Sequence, residues 1–277
     1  MSNTLDVAVL QVAYVDGEAP DARWARISTL VRAHRGHDLV VLPELWPNGA
    51  FSPSGWQEAA QPLDGPHVER LGALARETGI TLHGGSFIER TLEPGQQGRH
   101  LWNTSVVHGP DGTLRAVYRK VHRFGFGEGE PLHLEAGSEL QTFRIGDVTI
   151  GLATCYDLRF PELFRGLVDD GAEVFVVPAS WPAARREHWQ LLGRARALEN
   201  QAWVVQSNVT ASHGGLEMGG HSQVVDPTGK VVAAMSLEEG GMSVELDLDL
   251  LADFRHTFPV LADRRMGVAT PPRPDVG

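Results

Sequence analysis

The chain has 277 residues, a formal net charge of -11 and a hydrophobic content of 42%. That size and apolar share suit one domain with a substantial core, and the acidic balance argues against nucleic-acid binding, which needs a basic face to neutralise phosphates. No apolar run reaches the length of a spanning helix, and Met1 to Asp6 lacks the basic-then-apolar order of a signal peptide, so the chain reads as soluble and cytoplasmic with no membrane partner.

Short runs rich in Val, Ile and Leu alternate with helical patterns, the signature of a layered α/β domain. A strand is expected over Leu5 to Val12, then a helix over Pro20 to His34 and a second strand over Asp38 to Leu42, which ends at Pro43-Glu44. A helix over Pro66 to Thr78 leads to strands at Thr81 to Ile88 and Thr104 to His108. The turn Pro110-Asp111-Gly112-Thr113 predicts a hairpin into Ala116 to Lys120. Val148 to Thr154 reads as a buried strand ending beside Cys155, followed by a helix over Pro161 to Asp169 and a strand over Glu173 to Pro178. A helix over Ala183 to Asn200, strands at Ala202 to Ser207 and His221 to Val225, a turn at Asp226 to Lys230 and a strand at Met242 to Asp247 complete the domain. Proline opens three of the four helical patterns, where its missing N–H costs nothing. Two sets of strands could stack as two sheets with helices outside. We assign residues 1–265 to the domain and 266–277, rich in proline, to a C-terminal tail.

Three ionisable residues share one placement, each at the end of a strand. Cys155 is the only cysteine, which rules out an internal disulfide and a multi-cysteine metal site. Taken alone it is either a small buried hydrophobe or a nucleophile. Glu44 alone is either a cap or ion-pair partner, or a desolvated general base. Lys120 alone is either a solvated lysine or a donor that holds a thiolate and an oxyanion. Together they make a coherent amidase set of base, oxyanion donor and nucleophile.

The segments Leu42-Pro43-Glu44-Leu45, Tyr118-Arg119-Lys120-Val121-His122 and Cys155-Tyr156-Asp157-Leu158-Arg159-Phe160-Pro161-Glu162-Leu163 resemble, in order, the motifs of the nitrilase superfamily of carbon-nitrogen hydrolases. The likeness continues through Trp189 with Ala195 to Gln201, Gly220-His221-Ser222, Asp226 to Gly229 and Asp263-Arg264-Arg265. It implies an αββα sandwich of two mixed sheets flanked by helices, often paired into dimers. It also implies that no metal or cofactor is needed, and no His-Glu-x-x-His or comparable ligand spacing occurs. The family carries a second assisting glutamate between the lysine and the cysteine. Glu130, seven residues before Gly137, is the candidate here, with Glu128 and Glu135 as competitors.

The mechanism expected from this resemblance has Glu44 take the thiol proton as Cys155 attacks an amide carbon. Lys120 and the Tyr156 backbone N–H hold the oxyanion, and water then hydrolyses the thioester. Histidines His122, His133 and His188 offer a rival Cys-His pairing, which ranks lower because His188 lies in a helical pattern and His122 fits a supporting hydrogen bond better.

The cysteine motif and Ala179-Ser180-Trp181-Pro182 most resemble the omega-amidase-like branch, which acts on small dicarboxylic amides. Trp181 is expected to line the site and limit substrate size, or else to be a plain core aromatic. Arg159 could meet a substrate carboxylate, but bracing the cysteine loop through Asp157 or Glu162 is the favoured reading. Asn208-Val209-Thr210, Thr228 and the loop Arg123 to Gly127 depart from the branch pattern, which bears on the substrate rather than the chemistry. The competing readings are an N-carbamoyl amidohydrolase or nitrilase with the same residues, and a catalytically idle interaction module.

Overall fold

A computed structural model describes residues 3–265. The tail from 266 onward lies outside the described residues. The strands are β1 (Thr4–Tyr14), β2 (Leu39–Val41), β3 (Thr81–Arg90), β4 (Leu101–His108), β5 (Leu114–Arg119), β6 (Thr142–Ile145), β7 (Val148–Leu152), β8 (Val174–Ala179), β9 (Trp203–His213), β10 (Leu216–Glu217), β11 (Gln223–Val225), β12 (Val231–Ala234) and β13 (Gly240–Asp247). The helices are α1 (Pro20–Ala33), α2 (Trp56–Ala59), α3 (Pro66–Thr78), α4 (Glu130–His133), α5 (Pro161–Asp169), α6 (Arg186–Asn200) and α7 (Leu248–Thr257).

Two mixed sheets face each other. One runs β13-β1-β2-β3-β4-β5 and the other β6-β7-β8-β9-β11-β12. They are joined where Val12 to Tyr14 of β1 pairs in parallel with Val209 to Ala211 of β9. The period of two in side-chain direction explains the layers. Val7, Val9, Leu39 and Val41 of the first sheet meet Ile150, Val174, Val176 and Val205 of the second in one buried layer between the sheets. Their neighbours Ala8, Leu10, Val40 and Leu42 turn outward onto Ile27 and Val31 of α1 and Leu71 and Leu74 of α3. On the far side Phe175, Val177 and Val204 pack under Leu163, Phe164 and Leu167 of α5 and Trp189 and Ala197 of α6. The result is the expected αββα sandwich. It also explains why the central strands read as continuous apolar runs: both faces are covered.

Both predicted hairpins form, joining β4 to β5 and β11 to β12. Helix starts at Pro20, Pro66 and Pro161 fall where proline suits the first turn. Other boundaries moved. Ala183–Arg185 is a separate 3-10 turn before α6 rather than its first turn, and β9 continues to His213, well past Ser207. Strand β6 and helix α7 were not anticipated. β6 has only four residues, too few for a period to show.

Candidate active site

Glu44, Lys120, Cys155 and Ser180 each lie just past a strand end, and they come from both sheets. Glu44 sits in the turn after β2, and the following Leu45 is held at φ +46°. Lys120 is the first residue beyond β5 rather than the last within it. Cys155 opens a 3-10 turn, Cys155–Arg159, after β7 and has φ +49°, a left-handed conformation that non-glycine residues hold only when their surroundings enforce it.

That enforcement comes from Asp157, which is fully buried. Its Oδ2 accepts from the Tyr118 hydroxyl at 2.7 Å and the Thr154 backbone N–H at 2.8 Å. Its Oδ1 accepts from the His122 backbone N–H at 2.9 Å and from His122 Nδ1 at 2.8 Å. One carboxylate thus ties the turn that carries Cys155 to the chain on either side of Lys120. The His122 ring stacks flat on Phe160, centroids 3.7 Å apart. His122 therefore holds the cysteine turn through Asp157, with both its backbone N–H and its Nδ1 on that carboxylate.

The Lys120 ammonium, 2% exposed, donates to Glu44 Oε1 at 2.7 Å and to Glu130 Oε2 at 2.8 Å. The Asn103 amide on β4 donates to both carboxylates, to Glu44 Oε1 at 2.8 Å and Glu130 Oε1 at 2.7 Å. Glu44 Oε2 accepts from the Ser180 backbone N–H at 2.8 Å, and the Ser180 hydroxyl donates to the Glu44 carbonyl at 2.7 Å. Glu130 also takes the Phe124 backbone N–H at 2.6 Å, while its own N–H returns to Phe124 O at 3.0 Å. Of the three candidate second glutamates, Glu130 alone touches Lys120. Glu135 caps the loop at Gln97 and Arg99, and Glu128 lies on the cavity wall.

The electrostatics follow from burial and proximity. Burial pushes the Cys155 thiol well above its ordinary pKa and Glu44 adds to that, while Lys120 pulls the other way. Burial alone would lower Lys120, but Glu130, Glu44 and Cys155 outweigh it and the ammonium is held charged. Glu130 is raised by burial, against the pull of Lys120. The thiol is neutral at rest, beside a carboxylate and a fixed cation.

These groups open onto a cavity of about 610 Å³ whose floor holds Glu44, Lys120, Cys155 and Ser180. Phe51, Phe124, Phe126 and Arg185 stand on its walls. Tyr156 and Trp181 border a small adjoining recess that shares Cys155 and Ser180. Trp181 is almost fully buried, with its indole N–H donating to Arg185 O at 2.8 Å. The expected bracing role of Arg159 is corrected here. Asp157 already has four donors, and Arg159 instead lies over Trp181, its Cζ 4.7 Å from the ring centroid, with Nη2 3.3 Å from His188 Nδ1.

Sequence reasoning missed Asn103 and Ser180. Asn103 falls in the polar stretch Asn103-Thr104-Ser105 inside an otherwise apolar strand, all three buried, and that combination was the available signal. Ser180 stood in a quoted motif but was given no partner.

Residues 6–256 match the model of the carbon-nitrogen hydrolase family, and the chain belongs to that family, within the nitrilase superfamily. It is an enzyme of the amidase type. The chain is 46% identical over 269 residues to a 2-oxoglutaramate amidase of Paenarthrobacter nicotinovorans, covering 95% of this chain and 90% of that protein. It is 35% identical to an omega-amidase of Xenopus tropicalis, covering 84% and 85%. A CN-hydrolase superfamily protein from Xanthomonas campestris superposes with a TM-score of 0.87 at 30% identity, covering 97% of this chain and all of that one.

Proposed function

We propose that this enzyme hydrolyses the terminal amide of a small dicarboxylic acid monoamide, of which 2-oxoglutaramate is the model, releasing ammonia through a Cys155 thioester. The observation that carries the reading is the meeting of Glu44 and Glu130 on one buried Lys120 at the floor of the cavity that contains Cys155. The names of the similar 2-oxoglutaramate amidase and omega-amidase supply the substrate class.

Because the thiol is neutral at rest, its proton passes to Glu44 as the sulfur attacks the amide carbon. Glu44 is pinned for this by Ser180 and Asn103, so it holds one geometry. General-base assistance of this kind is worth about 100- to 10,000-fold. The oxyanion forms against the Lys120 ammonium and the Tyr156 backbone N–H, where a single donor contributes about 2.7 to 4 kcal/mol. Glu44 returns the proton to departing ammonia, then activates the water that opens the thioester. Glu130 keeps Lys120 charged and aimed.

The domain is assigned to residues 1–265. A reducing cytoplasmic setting suits an enzyme whose one cysteine must stay a free thiol. Pairing into homodimers is supported by Leu191 and Leu198, which stand exposed two turns apart on α6.

An ammonia-release screen over nitriles, carbamoyl amino acids and omega-amides tests the reading, run on wild type and Cys155→Ala. The expected result is turnover of an omega-amide without carbon dioxide, abolished in the variant. Equal turnover by both proteins, or preference for a nitrile or carbamoyl compound, overturns it.

A further inference from the structure

Glu44 Oε2 takes a hydrogen bond from the backbone of Ser180, so the base is only as fixed as the chain that leaves β8. The ladder between β8 and β9 ends at the pair Ala179 and Asn208, one residue short of Ser180. Beyond that pair β9 supplies Trp181 with no backbone partner, and a strand end of this kind frays unless another group takes over its hydrogen bonds. The Asn208 side chain does so. Its Oδ1 accepts the Trp181 N–H at 2.8 Å and its Nδ2 donates to Trp181 O at 3.3 Å, so one carboxamide presents the donor and the acceptor of a missing strand residue. Oδ1 also accepts the Val209 N–H at 3.0 Å, and Nδ2 also donates to Gly220 O at 2.8 Å. All four hydrogen-bonding positions of the amide are filled, in a side chain with no exposed surface.

The clamp is anchored on its far side too. The Asn208 N–H donates to Ser222 Oγ at 2.9 Å, that hydroxyl donates to Gln11 Oε1 at 2.9 Å, and Gln11 Nε2 donates to Ser236 O and Glu238 O at 3.1 and 2.9 Å. Gln11 lies on β1, the neighbour of β2 in the sheet that carries Glu44. A closed circuit therefore leaves the first sheet at Gln11, passes through Ser222, Asn208 and the Trp181 backbone, and returns to the first sheet where Ser180 meets Glu44. The loop before Ser222 is fitted to the same backbone: Trp181 O accepts the Gly219 N–H at 2.7 Å, and a Cβ at Gly219 would lie 2.8 Å from that oxygen.

We propose that Asn208 is a positioning residue for the hydrolysis: by holding the Trp181 backbone in place of a strand neighbour, it keeps the Ser180 N–H on Glu44 and so fixes the base against Cys155. The inference rests on the amidase reading for the role of Glu44, and adds to it the residue that sets the second oxygen of that carboxylate. Lys120 and Asn103 hold Oε1 from the first sheet, and Ser180 holds Oε2 from the second. Without the clamp the carboxylate is free to turn about Oε1, and the cavity lining, to which Asn208 does not belong, is otherwise intact.

Two measurements on Asn208→Ala test it, with Val7→Ala as a core truncation elsewhere in the first sheet. Ser222→Ala, which cuts the same circuit with less loss, carries both comparisons if Asn208→Ala does not fold. The first is the pH profile of kcat/KM on whichever omega-amide, nitrile or carbamoyl compound wild type turns over fastest. A wrong substrate class thus shows in wild type and leaves the test of Asn208 intact. A carboxylate that loses a donor to its charged form takes up a proton at higher pH, so the acid limb should move up by about half a pH unit or more. kcat should fall about 10- to 100-fold with KM changed by less than about threefold, the mark of a misplaced group behind an intact cavity. In Val7→Ala the limb should stay in place, since loss of folded protein scales the whole profile alike. An acid limb unmoved by Asn208→Ala, or moved equally by Val7→Ala, overturns the proposal. The second is amide hydrogen exchange, which needs no turnover. Protection of Ser180 and Trp181 should fall at least about tenfold relative to the amides of β1 in Asn208→Ala, and in step with them in Val7→Ala. Unchanged relative protection in Asn208→Ala overturns the proposal.

Discussion

The Tyr118 hydroxyl donates to Asp157 Oδ2 at 2.7 Å, across the gap between the strand that leads to Lys120 and the turn that holds Cys155. The Cys155 turn and the Lys120 strand end are therefore set relative to one another by a buried carboxylate that hydrogen-bonds to neither side chain. Replacing Asp157 by asparagine keeps the shape and removes the charge and one of the two acceptor oxygens. Since breaking a buried charged network costs about 3 kcal/mol or more, Tm should fall by roughly 6 to 12 °C. Thermal unfolding followed by circular dichroism reads the shift. kcat should fall with little change in KM, because the geometry rather than the cavity is lost, and an unaltered kcat would contradict the positioning role.

Lys120→Ala leaves Glu44 and Glu130 facing each other in a dry pocket with no cation between them. Turnover should drop by three orders of magnitude or more, and stability by about 3 to 5 kcal/mol. Urea titration gives the second figure. A variant as stable as wild type would mean that one glutamate is neutral at rest.

The strand-end placement of Glu44, Lys120 and Cys155 was legible because each follows an apolar run buried on both faces, and such runs leave a strong pattern. Asn103, Ser180 and Asp157 were not legible as a network, because they have partners 39 to 136 residues away. No local period records a hydrogen bond between two sheets. Arg159 was misread for the same reason: Asp157 and Glu162 are close to it in sequence, but Tyr118 and His122 had already filled Asp157. The helices α3 and α5, by contrast, run between the residues expected, since proline marks each start and burial of one face sets the period.

The neutral thiol has a measurable consequence. Burial, and then Glu44, hold the Cys155 pKa well above the ordinary thiol value of 9.0, so free enzyme carries little thiolate at neutral pH. Alkylation by iodoacetamide should therefore be slow at pH 7 and still rise with pH beyond 9. A plateau below pH 8 would show a stable thiolate and contradict the concerted transfer to Glu44.

Three buried histidines predict the acid limit of the fold. Burial lowers His67 to a pKa of about 3 and His83 and His108 to about 4, against 6.5 in the unfolded chain. The unfolded chain binds these protons first as pH drops, so the stability they contribute is complete above about pH 6.5. It is lost at about 1.4 kcal/mol per pH unit for each as pH falls toward the folded values. The urea midpoint should decline between pH 6.5 and 4.5, and His67→Leu should make that decline shallower. An identical slope in the variant would exclude His67 from the acid sensitivity.

Gly137 donates its N–H to Lys120 O at 2.9 Å, and a Cβ there would lie 1.9 Å from Arg119 O. Gly137→Ala should push the end of β5 and cost activity out of proportion to bulk. Ammonia release and Tm measured together would show this, and full activity would mean that the strand end yields.

Glu44, Asn103 and Lys120 come from one sheet, and Cys155 and Ser180 from the other. On the proposed mechanism, chemistry behaves as a coincidence detector for the seating of one half of the molecule on the other. A species in which each half keeps its own strands but the halves have slid apart would look native to far-ultraviolet spectroscopy and be catalytically silent.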